Sequence, residues 1–224
     1  MDPSVKKVAR PKAHDRALDE IEFETPSWDY FYQLCLELGD AIKRSGFRPG
    51  VLIGISRGGL IPLRILSDLF EDAVVATVKV EFYEDVAKTG KEPRITQPVS
   101  VDVTGKRVLI VDDVADTGRS LAMLKRGLEE KGIADLRIAT VYYKPWSILV
   151  PNYYIRGTVK WIIFPHERRE TVFKLATSCL GRGKSLEEVK DRLIQFGLEP
   201  LLVRRFLKEY EEEMANHRGR ASGE

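Results

Sequence analysis

Two adjacent carboxylates, Asp112 and Asp113, close a short apolar run, and a third, Asp116, follows inside a small-residue turn that ends Thr117-Gly118-Arg119-Ser120. These types at this spacing suggest chemistry. Ionised carboxylates accept hydrogen bonds from sugar hydroxyls or from the water shell of a hard divalent cation. Unpaired backbone N–H groups at a helix start, with the positive end of its dipole, cradle a phosphate. Residues 115–120, Ala115 through Ser120, would form that cradle, with Gly118 allowing close backbone approach and Thr117 and Ser120 adding hydroxyl donors. An ordinary strand-turn-helix would leave the paired carboxylates in search of partners. For the chemistry to work, the carboxylates must end a strand and the turn must open a helix. Residues 108–111, Val-Leu-Ile-Val, read as a strand buried on both faces. The carboxyl end of such a strand is where open α/β sheets bind ligands.

A second constellation, Ser56-Arg57-Gly58-Gly59, also falls between a strand pattern and a helix pattern. Two glycines permit a tight turn, and the forked cation of Arg57 suits a diphosphate; a plain turn is the alternative. Asp116 lies where a carboxylate would repel a phosphate, so it either serves another purpose or points to solvent. Lys144-Pro145 follows a strand pattern ending at Tyr143, and Trp161-Ile162 stands shortly before Pro165. A lysine only donates, and a tryptophan ring stacks on any base. A surface lysine at a strand end and a core tryptophan are the competing readings. The polar stretch 83–98, with Lys88, Lys91 and Arg94, reads as a long loop, functional or simply solvated.

The elements that must position these residues alternate. Helical spacing covers 27–43, with Ser27 as N-cap, then 60–70 and 118–131. Strand patterns cover 51–55, 73–80, 136–143 and 159–164, and Val99, Val101 and Val103 alternate as a further strand. Strand-helix alternation predicts an α/β fold with a doubly wound, mainly parallel sheet. After Pro165 the strand signals cease. Residues 171–180, 185–196 and 200–214 read as three helices, the second opened by a Ser185/Glu188 capping box. The expected division is an N-terminal arm over 1–24, an α/β domain over 25–166, a helical extension over 167–216 and a disordered tail over 217–224.

The bulk composition narrows the function. With 36 basic against 34 acidic side chains, the net charge of +2 argues against a nucleic-acid binder. Cys35 and Cys179 stand far apart without metal-ligand spacing and read as reduced core thiols. The charged first twenty residues lack a signal-type apolar run, and no segment has membrane-spanning length, so a cytoplasmic protein without a membrane partner is expected.

The segment from Leu109 to Leu121 resembles the PRPP-binding signature of the type I phosphoribosyltransferases. The stretch from Gly54 to Leu60 is similar to the diphosphate loop of their xanthine-guanine branch, where a non-proline cis peptide often occurs, which makes the Ser56–Arg57 bond a candidate. The resemblance covers roughly residues 30–167 and implies the type I fold, a Mg²⁺ cofactor and, by family habit, a homodimer. It implies PRPP and a purine base as substrates, with a nucleoside monophosphate and pyrophosphate as products. It further implies roles. Asp112 and Asp113 bind the ribose, and residues 115–120 the 5-phosphate. Ser56, Arg57, Gly58 and Gly59 bind the pyrophosphate. Asp116 handles the base proton at N7, and Lys144, Trp161 and Ile162 bind the base. Lys88, Lys91 and Arg94 belong to a flexible loop that closes over PRPP, although Phe82-Tyr83 replaces its usual Ser-Tyr pair. Asp112 and Asp113 would meet the metal indirectly; Glu167 is either a further acid facing metal-bound diphosphate or a helix N-terminal acid. Asp116 and Lys144 favour a 6-oxopurine, while the helical C-terminal third resembles archaeal purine enzymes that include adenine users. A PRPP-sensing regulator of the same fold is the reading from another class.

Overall fold

The computed structural model describes residues 22–84 and 91–221. In chain order the described elements are β1 (Phe23–Glu24), α1 (Trp28–Arg44), β2 (Val51–Ser56), α2 (Leu60–Leu69), β3 (Val74–Glu84), β4 (Lys91–Gln97), β5 (Arg107–Ala115), α3 (Arg119–Glu129), β6 (Asp135–Tyr143), β7 (Tyr153–Gly157), β8 (Trp161–Ile162), α4 (Arg168–Leu180), α5 (Leu186–Gln195) and α6 (Pro200–Ala221). They divide into two compact units, one over Asp29–Val159 and one over 22–28 and 160–221. The break precedes the change in composition at Pro165.

The first unit is an α/β layer structure around a six-stranded sheet of order β4-β3-β2-β5-β6-β7. All neighbours are parallel except β3 and β4. Residues 51–55 of β2 and 108–111 of β5 are free of polar side chains because both faces of the sheet are covered there, as parallel sheets require. Their residues Val51, Ile53, Val108 and Ile110 pack with Leu121, Leu124 and Leu128, which recur along one stripe of α3. Phe31, Leu34, Cys35, Leu38 and Ile42 form the buried stripe of α1.

Two sequence expectations fail in this unit, and one strand has no counterpart among them. The stretch taken as a loop contains β4, which pairs antiparallel with β3 and sets Arg94 opposite Glu81. It reads as loop because it is a polar edge strand, and Pro93 is tolerated only at such an edge. Residues 99–103 form no strand; Val103 is buried and Val99 and Val101 pack against the core, so their alternation reflects packing without sheet pairing. β7 went unread; it is a short edge strand paired only with β6.

In the second unit the expected strand over 159–164 shrinks to β8, which pairs in parallel with β1. Helices α4, α5 and α6 enclose a core of Val172, Ala176, Val189, Leu193, Val203 and Leu207. The Ser185/Glu188 capping box is present at the start of α5. The last helix runs to Ala221, past the expected start of a disordered tail at 217, through a Glu-, Met- and Ala-containing stretch with good helix propensity. No helix among the described residues is long and apolar enough to cross a membrane.

Candidate active site

The strand order creates the site. From β2 the chain moves outward to β3 and β4, and from β5 it moves the other way to β6 and β7. The adjacent strands β2 and β5, paired from Val51↔Val108 to Gly54↔Val111, thus flank the reversal of winding, the crevice where doubly wound sheets bind ligands. The loop 56–59 leaves the carboxyl end of β2, and the turn 115–120 leaves that of β5.

The first loop is held by crowding. The Ser56–Arg57 peptide is cis, as the resemblance suggested. The Gly59 N–H donates to Ile55 O at 2.9 Å, and Leu60 N–H donates to Arg57 O at 3.1 Å. A Cβ on Gly59 would lie 2.5 Å from Val111 O and 2.7 Å from Ile55 O, both backbone atoms. A Cβ on Gly58 would lie 2.3 Å from Asp113 Oδ2, so this loop rests directly on that carboxylate. Arg57 is exposed.

Consecutive strand residues face opposite sides of a sheet. The two neighbouring carboxylates therefore separate: Asp113 is buried against Gly58, and Asp112 opens on a cavity. The Asp113 N–H donates to Asp112 Oδ1 at 3.0 Å. Beneath Asp113, burial pushes the Cys35 thiol up to about 12, and the nearby Asp113 charge adds to the shift. Cys35 is thus a neutral core thiol.

The cavity, about 490 Å³, is lined by Asp112, Val114, Asp116, Thr117, Gly118, Arg119 and Ser120, with Phe82 and Leu121 as further walls. Gly118 has φ +73° and ψ 1°, the left-handed conformation that glycine adopts most easily, and α3 starts at the next residue. All six residues expected at the phosphate turn are thus consecutive, and five of them line the cavity, Ala115 being fully buried. Arg119 pairs with Glu92 of β4 at 3.0 Å, which ties the β3–β4 hairpin to the turn.

Lys144 is buried, with its ammonium 5.6 Å from the centre of the Trp146 ring. The Trp146 indole donates to Asp116 Oδ1 at 2.8 Å. Lys91 and Arg94 lie in β4, and Lys88 falls outside the described residues. Trp161, Ile162 and Glu167 belong to the second unit. There Trp161 is 42% exposed while Ile162 is buried. Glu167 occupies the N-cap of α4 without a side-chain capping bond, its carbonyl accepting from Thr171 N–H at 2.9 Å. The sequence reading missed Trp146 and placed Phe82 only in the loop. Trp146 carried one signal: an aromatic ring two residues after Lys144.

A phosphate-type turn, a carboxylate at a strand end and an arginine–glycine loop meet at the reversal point of a doubly wound sheet, and this constellation defines a class. The chain belongs to the phosphoribosyl transferase domain family, whose model matches residues 27–175. It is 29% identical over 149 residues to xanthine-guanine phosphoribosyltransferase of Gluconobacter oxydans, covering 65% of this chain and 84% of that protein. It is 31% identical over 121 residues to hypoxanthine-guanine phosphoribosyltransferase of Saccharomyces cerevisiae, covering 46% of this chain and 54% of the yeast protein. Among solved structures, the purine phosphoribosyltransferase of Pyrococcus horikoshii superposes with a TM-score of 0.59 at 36% identity, covering 65% of this chain and 94% of that one.

Proposed function

We propose that this chain is a purine phosphoribosyltransferase that transfers the 5-phosphoribosyl group of PRPP to N9 of a 6-oxopurine (hypoxanthine, guanine or xanthine) and releases pyrophosphate. The observation that carries this reading is that one cavity is lined at once by the phosphate turn, by Asp112 and by Asp116. A phosphate, a polyol and a proton-bearing base each need one of these, and PRPP with a purine presents all three. The names of the bacterial and yeast relatives support the 6-oxopurine choice.

In this reading the N–H groups opening α3 hold the 5-phosphate. Asp112 accepts from a ribose hydroxyl, and its charge favours the cationic character that develops at C1′ as the diphosphate leaves. Arg57 and the N–H groups of the 56–59 loop hold the departing diphosphate. As N9 bonds to C1′ and the C1′–O bond to diphosphate breaks, Asp116 takes the proton from N7 of the base. Lys144 donates to the 6-oxo group; stacking on Trp161 and edge reading beside Ile162 stay roles that the resemblance implies. The paired strands β3 and β4, with Arg94, cover PRPP and exclude water, which would otherwise capture the cation.

The carboxylates of Asp112, toward the cavity, and Asp113, toward the diphosphate loop, are hard oxygen donors of the kind Mg²⁺ takes through its water shell. These two would hold the ion, and when bound it offsets charge on the diphosphate. The proposal extends to a homodimer in the cytoplasm, with residues 25–166 as the catalytic domain and 167–216 as a helical extension. The test is an initial-rate assay of the full chain with PRPP and Mg²⁺ against hypoxanthine, guanine, xanthine, adenine, uracil and orotate separately. Pyrophosphate release with the first three is expected; release only with a pyrimidine, or with none of the six, would refute the reading.

A further inference from the structure

The segment that leaves β6 runs along the phosphate turn residue by residue. Lys144 N–H donates to Ala115 O at 3.0 Å, and Ile148 N–H donates to Thr117 O at 3.0 Å. Ser147 Oγ sits where a Cβ on Gly118 would approach to 2.4 Å. Between these contacts the Trp146 indole N–H reaches Asp116 Oδ1. Four consecutive turn residues, 115–118, are thus met by this one segment, and Trp146 makes the one side-chain to side-chain bond among these four meetings. The half-buried indole also carries the Lys144 ammonium over its face.

We propose that Trp146 is the positioning residue for the base-handling carboxylate: its N–H fixes Asp116 in one orientation and reserves Oδ1 as an acceptor, so the proton from the base goes to Oδ2. This rests on the reading of Asp116 given above. The chemistry follows from the donor inventory. An indole nitrogen donates and never accepts, so the oxygen facing it is kept as the acceptor and the proton favours the other oxygen. The N7–H bond that breaks is therefore replaced by an Oδ2–H bond, while N9 bonds to C1′ and the diphosphate departs with the C1′–O electrons. Without the indole, Oδ1 loses this donor and the carboxylate loses one of the contacts that orient it. The same ring, packed under Lys144, sets the spacing between the group that receives the base proton and the group that meets the base oxygen.

Trp146→Phe keeps an aromatic face for Lys144 and removes the N–H donor, with some loss of ring volume. In the full chain with PRPP and hypoxanthine, kcat should fall about tenfold or more, part of the ~10²–10⁴-fold that a positioned general base supplies, while KM for PRPP stays within about twofold. In an Asp116→Asn background the same substitution should add almost nothing, since the two residues act as one unit. Unchanged kcat for Trp146→Phe alongside a damaged Asp116→Asn would overturn the positioning role alone, as would losses that simply add. Unchanged kcat for Asp116→Asn would overturn the role of Asp116 and this inference with it. A second measurement leaves Trp146 in place and so does not depend on the folding of Trp146→Phe. The chain has three tryptophans, so it gives three indole N–H resonances in ¹⁵N-labelled protein, and Asp116→Ala should move one of them upfield. If none moves, the hydrogen bond is absent in solution and the proposal fails.

Discussion

The two ligand loops at the reversal point of the sheet are built by different means. The 56–59 loop is fixed by want of space: its Gly59 is pressed between the backbones of β2 and β5, and its Gly58 lies on Asp113. The 115–120 turn is fixed by hydrogen bonds supplied from outside, from the segment after β6. A crowded loop tolerates no added atom. A braced turn tolerates one where the neighbour can rotate away, but it depends on distant residues.

That difference sets the order of expected effects. Gly59→Ala should be the most damaging change, because its Cβ meets immovable carbonyl oxygens at 2.5 and 2.7 Å. A loss of about 3 kcal/mol or more is expected, read as a lower urea midpoint or Tm. Gly118→Ala meets Ser147 Oγ at 2.4 Å, a hydroxyl that can turn only by giving up its bond to Leu149 O, comes within 3.0 Å of Leu149 N, and forces a side chain into φ +73°. It should cost about 1–2 kcal/mol for the left-handed backbone and raise KM for PRPP. If the two glycines prove equally costly, the contrast between crowding and bracing is wrong. Arg57→Ala should leave stability within about 0.5 kcal/mol, since the side chain is exposed. It should instead lower kcat/KM for PRPP at least about tenfold through the diphosphate.

The smallest effect concerns the core under the crowded loop. Cys35 keeps its proton in the folded chain to about 12, against an ordinary value of 9.0. The unfolded chain loses that proton first, so the thiol's contribution to stability is fully present below pH 9 and fades as pH rises toward 12. Relative to Cys35→Ala, the wild-type chain should lose roughly 1 kcal/mol between pH 8 and pH 10 in urea titrations. A difference that does not change with pH would show that the thiol is solvated.

Much of the site was legible because it is local in sequence. Asp112, Asp113 and residues 115–120 form one strand-turn-helix, and chain order alone places the carboxylates at the strand end. The same holds for Arg57 between β2 and α2. Trp146 was not legible, because its meeting with Asp116 depends on sheet register. Parallel pairing of Ala115 with Tyr143 brings the two following turns side by side, and no spacing within either segment encodes that. β4 escaped for the opposite reason. Its polar residues and Pro93 match an edge strand as well as a loop, and only the partner β3 decides between them. Asp112 and Asp113, read as a pair, are divided by strand alternation between the cavity and the diphosphate loop.

The central claim is that Lys144 and Asp116 select a 6-oxopurine. Lysine has donors only, and against the amino group of adenine one is left unmatched, at a cost of about 1–3 kcal/mol or more for a charged donor. The most direct measurement places hypoxanthine and adenine in equal concentration with PRPP, Mg²⁺ and the full chain, and separates the two nucleoside monophosphates by chromatography. The hypoxanthine product should exceed the adenine product at least about tenfold, and Lys144→Ala should erase most of that ratio. An adenine product in excess, or a ratio untouched by Lys144→Ala, would contradict the account.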